Sequence, residues 1–90
     1  MKHAKDEHLD RLEPLLADLR EIDGLIEKKR GVFYRKSRAF LHFHDDPTGL
    51  YADVRLAADF ERFRVTTKHE QRSLLTRVRA ALAGQEGSEG

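Results

Sequence analysis

Residues 39–56 constrain this chain more than any other stretch. Leu41 and Phe43 alternate with His42 and His44, and after Asp45-Asp46-Pro47-Thr48-Gly49 the series Leu50, Ala52, Val54 and Leu56 alternates with Tyr51, Asp53 and Arg55. Two such runs joined by a Pro- and Gly-containing turn read as a β-hairpin with one apolar and one polar face. Residues directly opposite in an antiparallel pair share a face. Leu41 and Phe43 must therefore oppose members of the apolar set on the return strand. A four-residue loop, Asp46-Pro47-Thr48-Gly49, satisfies this by setting Phe43 against Ala52 and Leu41 against Val54. The other face then pairs His42 with Asp53, His44 with Tyr51 and Phe40 with Arg55.

The flanking segments supply what such a hairpin needs to bury its apolar side. Leu9, Leu12, Leu15 or Leu16, Leu19 and Ile22 recur at helical spacing, which predicts a helix from Asp6 or Asp10 to Ile22. Pro14 belongs in a first helical turn, so the stable part is expected to begin near Leu12 or Glu13, with frayed residues before it. Asp23-Gly24 ends the helix. A strand is expected within residues 25–35, with Gly31 marking a bulge or bend, followed by a Lys36-Ser37 turn. Further strands follow at residues 38–45, 50–56 and 60–66. Thr67 and Glu70 have the spacing of a capping box and open a second helix, whose stripe is Leu74, Leu75, Val78 and Leu82. Residues 84–90 hold no apolar side chain and are expected to be a disordered tail.

This order predicts a single α+β domain over residues 1–83. It is a two-layer sandwich of an N-terminal helix, a three- or four-stranded antiparallel meander and a C-terminal helix. Both helices should cover one sheet face. The expected core is Leu12, Leu16, Leu19, Leu41, Phe43, Leu50, Ala52, Val54, Leu56, Phe63, Val65, Leu74, Leu75, Val78 and Leu82. Ninety residues support one such core. There is no cysteine, no apolar run of membrane-spanning length and no apolar stretch behind the N-terminal charges. A cytoplasmic protein without disulfides, signal peptide or membrane contact is therefore expected.

Net charge is only +1, yet it is unevenly spread. Residues 1–27 hold eight acids against four bases, whereas residues 28–38 hold Lys28, Lys29, Arg30, Arg35, Lys36 and Arg38 with no acid. Such a run attracts phosphate or an acidic partner. It equally describes solvated side chains that blunt a sheet edge.

The polar sheet face is where function is expected. Phe40, His42, Tyr51, Arg55, Arg62 and Arg64 would form an interaction face for a protein partner or a homodimer, these being side chains typical of interfaces. His42 and His44 point the same way along a strand, and with Asp53 they are candidate ligands for Zn or another transition metal. The ordinary alternative is a His42–Asp53 cross-strand pair. Phe40 and Tyr51 as stacking surfaces beside Arg55, Arg62 and Arg64 describe a nucleic-acid-binding face, though Asp53 sits in its middle. No serine or cysteine stands beside the His42–Asp53 pair, so enzymatic catalysis is not expected and no catalytic residue or organic cofactor is assigned.

The string from Phe33 through Tyr34, Arg35, Lys36, Ser37, Arg38, Ala39, Phe40, Leu41, His42 and Phe43 to His44, with the return strand from Gly49 to Val54, resembles a family of small bacterial proteins of unknown function. That resemblance spans residues 25–82 and implies a bacterial, cytoplasmic protein with no catalytic residues to carry over. The helix–meander–helix order is also similar to MmcQ/YjbR-type domains, whose double-wing fold is linked with DNA binding. The chain lacks their fuller sequence pattern, so that activity is not transferred.

Overall fold

The computed structural model describes residues 2–87. In chain order the elements are β1 (Lys2–His3), α1 (Asp6–Arg11), α2 (Glu13–Arg20), β2 (Ile26–Lys29), β3 (Val32–Arg35), β4 (Arg38–Asp46), β5 (Gly49–Arg55), β6 (Phe60–Arg64) and α3 (Lys68–Gly87). Strands β2 to β6 form an antiparallel meander in sequence order, and β1 pairs with β4. The helices and the apolar sheet face enclose one core, the two-layer α+β arrangement that the alternation predicts.

The meander has five strands rather than three or four, with β1 as a short addition. Residues 25–35 supply two strands because Gly31, at φ 79°, turns the chain between β2 and β3 instead of bending one strand. A Cβ at this position would lie 2.8 Å from Cδ2 of Leu9, so both the backbone and the space require glycine. The N-terminal helical region is likewise two elements. Pro14 occupies the first turn of α2, and the chain breaks before it at Leu12. The residues ahead of the break are not frayed. The Lys5 amide donates to Nδ1 of His8 at 3.1 Å, and α1 buries Leu9.

The central hairpin holds the register that parity demands: Leu41 with Val54, His42 with Asp53, Phe43 with Ala52, His44 with Tyr51. Pairing runs on through Asp45–Leu50 to Asp46–Gly49, so the loop is the two residues Pro47-Thr48 rather than four. The Thr48 amide and hydroxyl both donate to Oδ2 of Asp46, at 3.1 and 2.6 Å, which closes the turn without a longer loop.

Within β4, parity fails at one residue. Phe33 pairs with Leu41 while Tyr34 pairs with Ala39, leaving Phe40 as the extra residue of a β-bulge. The bulge turns Phe40 into the core, where it is 3% exposed beside Leu41. Leu9, Leu15, Leu25 and Phe33 also join the core, whereas Leu56 and Phe63 are only partly buried against it.

The capping box forms as its spacing predicts. The Thr67 amide donates to Oε1 of Glu70 at 2.9 Å and the Glu70 amide donates to Oγ1 of Thr67 at 3.1 Å. Helix α3 then continues through Gly87, so residues 84–87 extend the helix instead of beginning a disordered tail. Residues 88–90 lie outside the described residues. No helix among the described residues is long and apolar enough to cross a membrane.

Ion pairs tie the helical layer to the β2–β3 hairpin. Arg20 bonds both Glu13 and Glu27, and Arg30 reaches Asp10 at 2.8 Å and Glu13 at 2.9 Å. Glu27, 17% exposed, also accepts from the Gly31 amide at 2.9 Å. The hydrogen bonds from Arg20 hold its carboxyl below the ordinary value, against the opposing effect of burial.

Two measurements follow from this layer. Gly31→Ala, forced into a left-handed backbone against Leu9, should lose roughly 1–3 kcal/mol in urea unfolding. A carboxyl depressed in the folded state stabilises above its unfolded pKa of 4.5 and loses that contribution as pH falls through the lower folded value. Glu27→Gln should therefore be less stable than the native chain by about 1–2 kcal/mol at pH 7. The gap should close as the pH is lowered below about 4, as read from paired denaturation curves.

Candidate metal centre

Strand β4 is nine residues long, and its one edge is shared by two partners. Strand β3 pairs with residues 38–41, and β1 pairs with the far end through Lys2–Asp45 and His3–His44. The Ala4 amide donates to the Phe43 carbonyl at 3.2 Å and fixes the chain as it leaves β1 for α1. Cross-strand partners share a face, so this pairing sets His3 beside His44 on the side away from the helices. Alternation along β4 adds His42 to the same side.

The result is a cluster of three imidazoles. The ring centroids of His42 and His44 are 4.8 Å apart, His3 stacks on His44 at 5.3 Å, and His3 lies 6.0 Å from His42. One ligating nitrogen from each lies within 4.8 Å of the others. Phe60 closes one side, its ring 5.2 Å from that of His42. Between β1 and β3 a notch of about 170 Å³ opens beside His3 and His42, with Lys29 and Val32 on its wall.

Three nitrogens in this cluster are buried without a hydrogen bond: Nδ1 of His42 and both Nδ1 and Nε2 of His44. Nε2 of His44 is 2.9 Å from Oδ2 of Asp53 yet makes no hydrogen bond to it. Buried polar atoms are nearly always satisfied, so three orphans at one place need a physical explanation. Burial, and then the neighbouring His44, push the His42 pKa below its ordinary value, and Asp53 only partly opposes them. At neutral pH His42 is thus held in the neutral form, which is the form that ligates a metal.

Asp53 stands opposite His42 in register but does not pair with it. Its two carboxylate oxygens accept from Nε and Nη2 of Arg62, at 2.7 and 2.9 Å. Those bonds hold its pKa below the usual carboxylate range although the residue is 9% exposed. The expected ligand set of His42, His44 and Asp53 is therefore distributed differently. The two histidines meet a third, His3, and Asp53 stands behind His44.

The expected interaction face is also rearranged. Phe40 has left it for the core. Tyr51 has its hydroxyl 2.7 Å from Oγ1 of Thr48, and Arg64 donates to the Glu70 carboxylate at 3.1 and 3.0 Å. Arg55 donates to the carbonyls of Ala39 and Ala58 at 3.1 and 3.2 Å and lies over the Phe60 ring at 4.4 Å. Ile26, 61% exposed, and Phe60, 36% exposed, are the large apolar side chains left open to solvent among the described residues. His3 carries no local sequence signal, because a pairing between chain-distant strands places it.

Comparison with protein-family models, with curated proteins and with solved structures returned no match. The site is accordingly argued from its own geometry. Arg62 is what allows a charged Asp53 to sit beside half-buried imidazoles. Arg62→Ala should lower the urea midpoint measurably, and adding Asp53→Asn should restore most of the loss by removing the stranded charge.

Proposed function

We propose that this protein binds a divalent transition-metal ion through His3, His42 and His44 on the open face of its sheet. The observation that carries the reading is the group of three buried imidazole nitrogens with no hydrogen-bond partner, inside a cluster of three histidines. Imidazole nitrogen suits Zn, Cu, Ni and Fe, and the absence of cysteine removes thiolate-based alternatives. Nitrogens bound about 2.0–2.1 Å from zinc in a tetrahedron lie roughly 3.3 Å apart, so a spread of 4.8 Å closes by modest ring rotations. Asp53, fixed by Arg62, has Oδ2 2.9 Å from Nε2 of His44; reorientation of the ring on metal binding would let Nε2 donate to it while Nδ1 ligates, an arrangement that orients metal-binding histidines.

Three protein ligands leave a coordination position open, whereas structural zinc sites are closed by four. The reading is therefore a metal-dependent binding module rather than a zinc-stapled mini-domain, because the core does not depend on the ion. Association of the sheet face with a protein partner or a second copy is a second reading, favoured by the exposed Ile26 and Phe60. Nucleic-acid binding is less supported on this face. Phe40 is buried, and Arg62 and Arg64 are both engaged by carboxylates.

Chelator-stripped protein titrated with Co(II) should show saturable visible absorption at one ion per chain, displaced by Zn(II). His3→Ala, His42→Ala and His44→Ala should each weaken binding about tenfold or more. His69→Ala, on the exposed surface of α3, should leave it unchanged. Absence of stoichiometric uptake, or a His3→Ala variant that binds as well as the native chain, would overturn the three-histidine site.

A further inference from the structure

Strands β1 and β3 share one edge of β4 at separate positions, and the gap between them opens beside the histidine cluster. Lys29 pairs with Val32 across the β2–β3 hairpin, and Phe33 pairs with Leu41 across β3 and β4. Phe33 and Leu41 are fully buried in the core, so their neighbours Val32 and His42 lie on the open face. Cross-strand partners share a face, which puts Lys29 there too. The row Lys29, Val32, His42 therefore reaches the cluster from the side opposite Asp53 and Arg62.

The notch of about 170 Å³ in that gap has His3 and His42, two of the three proposed metal ligands, in its wall. It has the room of roughly six water molecules, too little for a nucleotide or a peptide. Its chemistry is divided. Ala4, Leu9, Val32 and Phe43 give it an apolar side, while Lys29 and Arg30 on its wall are cations and no acid lines it. Arg30 is held by Asp10 and Glu13. Lys29 is exposed, and among the described residues no carboxylate pairs with it.

Charge balance at the cluster points the same way. Three neutral imidazoles leave a divalent ion with its whole charge. Asp53, which stands behind His44, is already matched by Arg62. An anionic fourth ligand offsets part of the metal charge in a half-buried site, where an uncompensated charge is costly. Given the three-histidine metal site, on which this reading rests, we propose that the open coordination position takes the carboxylate of a short aliphatic acid. One carboxylate oxygen binds the ion, as oxygen ligands of zinc do, and the other turns toward the Lys29 ammonium. The hydrocarbon end lies against Ala4 and Val32.

The test uses Co(II)-loaded protein, read by visible absorption and titrated separately with butyrate, formate and butyramide at constant ionic strength. Butyrate should give a saturable spectral change and bind about tenfold or more tightly than formate, because its added carbons meet the apolar side of the notch. Butyramide, similar in shape but uncharged, should give no change. Lys29→Gln should weaken butyrate binding about tenfold, and Lys29→Arg should restore most of it. Lys68→Gln, at the start of α3, should leave butyrate binding as it is. Co(II) uptake is measured before any acid is added, so two failures are distinguishable. No uptake overturns the metal site and this ligand with it. Uptake followed by a spectrum that butyrate does not change overturns the ligand alone. Formate or chloride binding as tightly as butyrate would overturn it as well, as would a Lys29→Gln variant that binds butyrate like the native chain.

Discussion

Everything distinctive in this domain depends on the pairing of β4 with its neighbours. Along one edge β4 meets β5 residue for residue from Leu41 to Asp46. Along the other it is shared, first by β3 and then by the two-residue β1. The β5 pairing fixes which side chains enter the core, since a slip of one residue would exchange the faces. The shared edge brings the start of the chain to the middle of the sheet, and with it the third imidazole.

The two sheet faces solve different problems. Beneath the helices, Phe33, Leu41, Ala52 and Val54 are fully buried against Leu12, Leu16, Leu19, Leu74 and Val78, and this provides the stability. On the other face, charges are admitted in matched sets. Arg62 holds Asp53, and Glu70 serves at once Arg64, the Thr66 amide and the cap of α3. Against that pattern the imidazoles of His42 and His44 stand out, with three buried nitrogens that have no hydrogen bond. Among the described residues these are the buried side-chain atoms without a hydrogen bond, and the proposed metal site would account for them.

The β4–β5 register was legible because period-two alternation leaves few ways to put Leu41, Phe43, Ala52 and Val54 on one side. The α3 capping box was legible because its bonds lie within four residues. Phe40 was not legible. A bulge depends on how β3 and β4 meet, and the local alternation around Phe40 gives no sign of the extra residue. Gly31 reads in the sequence as a bulge or bend rather than a turn, because the two short strands beside it carry few apolar side chains to set their parity. The helical break at Leu12 was half legible: Pro14 pointed to it, but the structured α1 before it depends on Leu9 finding Gly31 and the core.

By itself, the sequence determined the alternation of β4 and β5, the helical stripes, the cap of α3 and hence a two-layer α+β domain. These follow from interactions between residues near in the chain or from a simple face rule. Only the tertiary structure decided that His3 joins His42 and His44, that Asp53 turns to Arg62, and that Phe40 enters the core instead of a surface. Each of those outcomes is set by contacts between segments far apart in sequence, where the favourable partner is chosen by packing and charge balance across the whole sheet.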